Sequence, residues 1–467
     1  MLFSSLPFLY AFLPIALLIY FAVPRKLRNM VLLVLSLVFY FYGEQGYVLL
    51  LLFSSACDYF IGLIMEKHRG TPKAKAALFV SIMVNLLVLG FFKYSDFIIA
   101  NVNLLFKTDI PLLQIHLPLG ISFFTFQTMS YAVDVYRGDV HAERNPLGFA
   151  MYVSMFPQLV AGPIVRYNTV AAELKERTHS FENFAYGVGR FLIGLGKKVL
   201  IANSLGELSA LMLGTGTPSV LSHWLAIFAY MLQIYFDFSG YSDMAIGLGR
   251  FFGFHFLENF NYPFIAASIS DFWRRWHMSM GIWFREYLYI PLGGNRGGKL
   301  KWMRNIFIVW FCTGLWHGAS WNFILWGLYF GVLLTLEKLF LNKWLEKLPR
   351  ALRHVYTMGF VFFSFVIFYI EDFSALGAHI AAMFGGAGLP AVNTESLYYL
   401  RSYALILVAA CIGATPLLRN LGRKLQSSQR LSKLTLVLEP AFYAALLLIV
   451  TGYLVDSTFN PFLYFRF

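Results

Sequence analysis

The chain alternates between long apolar runs and short charged loops. Residues 8–23 make the first run and 30–42 the second, with Arg25, Lys26 and Arg28 between them. A third run covers 47–65, and the following loop at 66–75 carries Lys67, Arg69, Lys73 and Lys75. Further runs occupy 78–92, 117–136, 222–238, 303–341, 355–370, 398–418 and 441–454. A membrane-crossing helix needs ~20 mainly apolar residues, and by length and charge the pattern predicts about eleven spans. Three stretches break it. Residues 95–114 are mixed and are expected to lie along the outer surface. Residues 151–164 contain MFPQLVAGPI, where prolines and Gly162 interrupt a helix, and 259–275 contain NYPF and DFWRRW. Irregular backbone at membrane depth is tolerated only inside protein or along a cavity, so these two are expected to be re-entrant or interfacial. Lys197 and Lys198 end the apolar segment 184–203. They fit a helix lying at the cytoplasmic interface, or equally a span whose lysines snorkel.

Composition agrees with this pattern. Of 467 residues, 58% are hydrophobic and 13% charged, against about 25% charged in a soluble domain. The reading is an all-α polytopic membrane protein in a single integral-membrane domain, 1–467, with no soluble domain and no internal repeat. The net charge of +13 would by reflex suggest nucleic-acid binding. The basic residues, however, sit in short loops between apolar runs, as positive-inside topology and anionic lipid require. The loop at 419–433 has five basic residues and no acid. The first run has no preceding positive region, so it is expected to stay uncleaved, with both termini outside the cytoplasm. Cys57, Cys312 and Cys411 are far apart and form no CxxC pair, which argues against a disulfide framework or a metal site.

The candidate chemistry concentrates at 270–327. His317 lies in a small-residue break, with Gly314, Gly318, Ala319 and Ser320, between the apolar stretches 307–315 and 321–331. An ionisable group at such depth is by default a functional candidate, although polar residues also join membrane helices. His277 stands in similarly tryptophan-rich surroundings, with Trp273 before it and Trp316 beside His317. Arg274 and Arg275 are suited to phosphate groups of a substrate, or alternatively to Asp271 or lipid headgroups. Asn322 and indole N–H groups are candidates to polarise a substrate carbonyl. Asp237 and Asp243 bracket Gly240; their spacing of six does not put them on one helical face, and structural hydrogen bonding is the alternative to function. No DxD, HExxH or P-loop pattern is present, since GGNRGGK at 293–299 lacks the required spacing.

WRRWH at 273–277, FREYLYIPLGGNRGG at 284–298 and GLWHGASWNFILWG at 314–327 resemble the membrane-bound O-acyltransferase family, in its bacterial alginate O-acetylation branch. The similarity runs from the opening MLFSSLPFLYAFLP to the closing NPFLYFRF; the one local departure is GIWF at 281–284. The resemblance implies a helical fold with re-entrant and interfacial helices around a central tunnel, with the catalytic core at roughly 115–335. It places the family's catalytic His on His317 and its second signature His on His277. It further implies an acyl thioester such as acetyl-CoA as donor substrate, with no bound cofactor, and an extracytoplasmic SGNH-type O-acetyltransferase as partner. The expected setting is the bacterial inner membrane, and the expected acceptor a polysaccharide such as alginate, with peptidoglycan, cellulose or other glycans as alternatives. A transporter of a preformed acyl substrate is the rival from another class. Tyr464, in the aromatic tail, resembles the terminal tyrosine of envelope acylation systems and is a candidate acyl carrier.

Overall fold

The computed structural model describes residues 1–160, 162–427 and 431–456, and every regular element among them is a helix. Tyr464 lies outside the described residues. The chain divides into two compact units. The first comprises Met1–Phe191, Ser242–Glu258 and Ile282–Leu288; the second comprises Leu192–Tyr241, Asn259–Gly281 and Tyr289–Phe467.

Among the described residues, six helices are long and apolar enough to cross a membrane. They are Arg25–Glu44, Tyr47–Lys67, Pro72–Phe106, Trp321–Leu345, Arg350–Tyr369 and Leu436–Asp456. The pair Thr394–Ser402 and Ala404–Gly413, bent by 54°, brings the number to seven if it counts as one span. The expectation of about eleven also counted runs that fold into shorter or more polar helices. Residues 8–23, for example, give only the shorter apolar helix Phe8–Ala22. The break expected at 95–114 begins later than the sequence suggested. Pro72–Phe106 is one helix of 35 residues, about 52 Å at 1.5 Å per residue, and so longer than an apolar core is thick. The interruption at 151–164 is present: Pro146–Ser154 and Phe156–Leu159 are separate short helices, and residues 160 and 162–165 after them are buried and non-helical.

The first unit is tied together by a polar network among apolar helices. Asp58, on Tyr47–Lys67, accepts from Ser81 Oγ at 2.5 Å and Asn85 Nδ2 at 2.7 Å, both on Pro72–Phe106. Asn85 Oδ1 in turn accepts from Thr128 Oγ1 at 2.9 Å, on Ile121–Arg137. Where water is absent, such groups must find partners in one another, and here one carboxylate joins three helices. Gly138, at φ 84°, ends the third of them, its N–H reaching the Asp134 and Val135 carbonyls.

The second unit is organised by the helix pair Lys299–His317 and Trp321–Leu336. Their backbones approach so closely that a Cβ on Gly327 would collide with the Trp310 carbonyl oxygen, and one on Gly314 with the Phe323 carbonyl oxygen. This is the small-residue packing that replaces hydrophobic driving force between membrane helices. Neither carbonyl can yield without breaking its own helix. Gly327→Val should therefore destabilise the folded protein by about 1–3 kcal/mol or more, read as a lower thermal unfolding midpoint in detergent. Gly359→Val, at a glycine with open space beside it, should change it little.

Candidate active site

His317 is the last residue of its helix, and Gly318 leaves in an extended conformation before Trp321 starts the next one. A side chain at Gly318 would occupy the space of the Phe323 ring, so the turn can be this tight only with glycine there. The result fixes the imidazole among aromatic edges: ring centroids of Trp326, Trp316 and Phe368 lie at 4.8, 5.0 and 5.4 Å. His317 lines a cavity together with Asp237, Trp273, Trp276, Trp326, Ser364 and Phe368. The walls are almost wholly apolar, with few polar groups projecting among them.

His277 is held by a different device. It has a φ of 44°, in the left-handed region that few non-glycine residues occupy. The backbone around it is folded back on itself: Met278 N–H donates to the Asn259 carbonyl and Asn261 N–H to the Arg275 carbonyl, each at 2.9 Å. Asn259 is fully buried, and its side-chain oxygen accepts from Ser279 Oγ at 2.9 Å and from Ser279 N–H at 3.2 Å. The same oxygen stands 3.2 Å from His277 Nδ1. An amide oxygen can only accept, so Nδ1 carries the proton and Nε2 keeps its lone pair. Strain at an over-determined position of this kind is characteristic of functional sites. The His277 ring packs against Phe238, at 4.6 Å, and Trp316, at 5.6 Å. Trp316 thus touches both histidines.

Glu337 anchors the other end of this segment. It is fully buried, and its carboxylate accepts from the backbone N–H groups of Ile269, at 2.6 Å, and Ser270, at 3.0 Å, and from Ser270 Oγ at 3.0 Å. A carboxylate on the first turn of Ile269–Trp273 satisfies N–H groups that the helix cannot use itself and complements its dipole. Ser268 caps the same helix through the Asp271 N–H at 3.0 Å. The helix so fixed carries Trp273 to the cavity wall.

The structure separates the residues singled out in the sequence. Asp237 lines the cavity and takes Lys198 Nζ at 2.6 Å, while Nζ also donates to Asn203 Oδ1 at 2.9 Å. Lys198 is therefore buried and paired, correcting both the interfacial and the snorkelling expectations. Gly240 allows this, since a Cβ there would meet the Gly194 carbonyl at 2.7 Å. Asp243 does not accompany Asp237: it belongs to the first unit, where it pairs with Arg190 at 2.7 Å. Asn322 is corrected as well. Its Nδ2 is spent on the Ile367 and Phe368 carbonyls at 3.3 and 3.2 Å, so it ties helices together rather than polarising an acyl group. Arg275 pairs with Asp271 at 2.9 Å and donates to the Asn261 carbonyl at 3.2 Å; Arg274 is exposed. The Trp273 indole N–H is buried without a partner among the described residues, which leaves a donor available beside the cavity. Asn259, Glu337 and Lys198 were missed as site residues by sequence reasoning. The one signal was a polar or charged residue inside an otherwise apolar segment. Among the described residues no three His, Cys, Asp or Glu side chains are grouped to hold a metal ion.

An imidazole walled by aromatics, within an all-helical membrane chain, is the centre of the candidate site. The sequence model of the MBOAT, membrane-bound O-acyltransferase family matches residues 142–377, and the chain belongs to that family. It is 41% identical to a probable alginate O-acetylase AlgI of Azotobacter vinelandii, over 88% of this chain and 84% of that protein. A peptidoglycan O-acetyltransferase of Helicobacter pylori is 35% identical over 86% of this chain and 83% of its own length. A teichoic acid D-alanyltransferase of Bacillus subtilis is 33% identical over 54% of this chain and 68% of its own. The protein is an O-acyltransferase, and the transporter reading is set aside.

If Asn259 sets the His277 tautomer and His277 serves acyl transfer, Asn259→Ala should lower the rate about tenfold, a lost hydrogen bond being worth about 1 kcal/mol and tenfold in rate ~1.4 kcal/mol. Asn259→Asp keeps the acceptor oxygen and should retain more activity. In the Asn259→Ala background, His277→Ala should cost much less than it does alone, as coupled residues require. Additive losses in that double-mutant cycle would show that the two act separately.

Proposed function

We propose that the protein takes an acyl group, in the first instance acetyl, from a cytoplasmic thioester such as acetyl-CoA. It passes that group across the bacterial inner membrane for O-acylation of an extracytoplasmic polysaccharide such as alginate. The observation that carries this reading is the placement of His317 in a largely apolar, aromatic cavity, taken with the names of the alginate and peptidoglycan O-acetyltransferases to which the chain is similar.

The chemistry asks little of the site beyond a base and a dry cavity. His317 takes the proton from an attacking hydroxyl, the hydroxyl oxygen bonds to the thioester carbonyl carbon, the carbon–sulfur bond breaks, and the proton passes to the departing sulfur. Excluding water prevents loss of the thioester to hydrolysis. Trp273 N–H is a candidate donor to the carbonyl oxygen as it gains charge. Exposed Arg274 is a candidate contact for phosphates of the thioester, and Arg275 contributes to shaping the segment. Both termini are proposed to lie outside the cytoplasm, with an SGNH-type O-acetyltransferase receiving the group there and Tyr464 as a covalent carrier on the way. A peptidoglycan acceptor is the second reading, motivated by the 35% identity to the Helicobacter pylori enzyme.

In proteoliposomes loaded with labelled acetyl-CoA, wild-type protein should transfer label to polysaccharide when the external partner is supplied. His317→Ala should reduce transfer by roughly 10²–10⁴-fold, the contribution of a positioned general base, at unchanged protein abundance. Wild-type rates in that variant would remove His317 from the chemistry. Label appearing on peptidoglycan fragments but not on alginate would select the second acceptor, and Tyr464→Phe at full rate would exclude the covalent carrier.

A further inference from the structure

We propose that Arg28 and Arg177, assembled on Tyr20 and His179 in the first unit, form a binding site for a phosphate group. Tyr20 is fully buried, and its hydroxyl is the hub. It donates to the Phe252 carbonyl at 3.1 Å and accepts from Arg177 Nη2 and Nε at 3.0 and 3.3 Å. With that hydroxyl proton committed, the 3.0 Å contact to His179 makes Nε2–H the donor. The other ring nitrogen, Nδ1, is then the lone pair that faces Arg28 Nη1 at 3.3 Å. His179 is thereby held as neutral imidazole between two guanidinium groups. Its pKa is pushed down to about 4, first by burial and then by Arg28, Arg177 and Arg25.

Two cations held this close would ordinarily be matched by acids. Among the described residues, no carboxylate lies within ion-pair distance of Arg28 or Arg177. Glu173, one turn from Arg177, offers it only a backbone carbonyl at 3.1 Å and commits its carboxylate to His255 at 2.6 Å. The contrast within the same unit is Arg190, which has Asp243 at 2.7 Å and Glu258 at 2.5 Å. Among the described residues, Arg28 Nε is also shut away from solvent with no hydrogen-bond partner, a situation in which an unplaced ion is one explanation. Both guanidinium groups are positioned by aromatic faces: Arg28 lies over the Tyr20 and Phe21 rings at 5.2 and 5.4 Å, and Arg177 over Phe254 at 4.5 Å. Gly253, at φ 81°, completes the seat, since a Cβ there would press on the Thr178 carbonyl, Arg177 and His179 at 3.1 to 3.3 Å. Both arginines are only half-buried, so a ligand can reach them.

The chemistry selected is that of a phosphate group. Its oxygens accept from planar guanidinium forks, and its charge offsets the cluster, to which Arg25 and Lys26 add in the preceding turn. Arg28 begins a helix apolar enough to cross a membrane, at the level where phospholipid headgroups lie. A soluble phosphate compound would satisfy the same groups.

The test uses the purified full-length protein in uncharged detergent, with Tm as the readout. Phosphatidylglycerol is compared with phosphatidylcholine, and inorganic phosphate with chloride at matched ionic strength. A lipid-headgroup site should give a larger Tm rise with phosphatidylglycerol than with phosphatidylcholine. That excess should vanish in Arg28→Gln/Arg177→Gln and persist in part in Arg28→Lys. A rise with inorganic phosphate, lost in the same double variant, would assign the site to a soluble phosphate. No excess from either source, or an excess kept by the double variant, would overturn the proposal. Should the double variant not fold, the His179 ring can be titrated by NMR in the wild type. A bound anion favours imidazolium, so the pKa should rise from about 4 on adding the stabilising phosphate species, and an unchanged value would overturn the site.

Discussion

The close contact between Lys299–His317 and Trp321–Leu336 is the constraint on which the candidate site depends. Lipid offers apolar side chains no reason to leave it, so helices in a membrane are held by close packing and by polar contacts. Gly314 and Gly327 let the two backbones meet, and Gly318 lets the chain reverse within three residues. That reversal puts an imidazole at the end of a helix and against Trp326 and Phe368. A wider turn would leave the ring without these walls.

A second constraint follows from the first. Once a cavity has been dried, each polar group near it must be held by a specific partner. Asn259 and Glu337 do this for the segment that carries Trp273 and His277, one through a single amide oxygen and the other through a carboxylate on helix N–H groups. Lys198 and Asp237 answer each other's charge at the cavity wall. Such a pair is costly to desolvate and strongly destabilising to break. The first unit applies the same rule at Asp58 and Arg190. Arg28 and Arg177 depart from it, and that departure distinguishes their cluster from the paired charges elsewhere.

The sequence was informative where lipid imposes a rule that any segment must obey by itself. Apolar length marked Tyr47–Lys67 and Arg350–Tyr369 to within a few residues, because a span must satisfy its own backbone. The prolines at 151–164 marked an interruption for the same local reason. Span number was less legible. Polar residues that face protein lower the apolarity of a run without saying what they face, and the continuous helix Pro72–Phe106 passes through a stretch that reads as broken.

Residue chemistry divided along the same line. His317 stood out by itself, an ionisable group in an apolar setting, and the motifs around it were enough to suggest the family. What Asn322, Asp237, Asp243 and Lys198 do could not be read from their spacing. Asn322 is spent on two carbonyls some 45 residues away in sequence, Asp237 on a lysine from another helix, and Asp243 on an arginine some fifty residues earlier in the chain, within the first unit. Asn259 and Glu337 gave no motif at all, since each acts on residues distant in the chain. Which segments are long and apolar, and where an ionisable group sits among apolar neighbours, are properties of local composition, and the sequence alone determined them. Which polar atom satisfies which other atom depends on how the helices meet, and only the tertiary structure decided it.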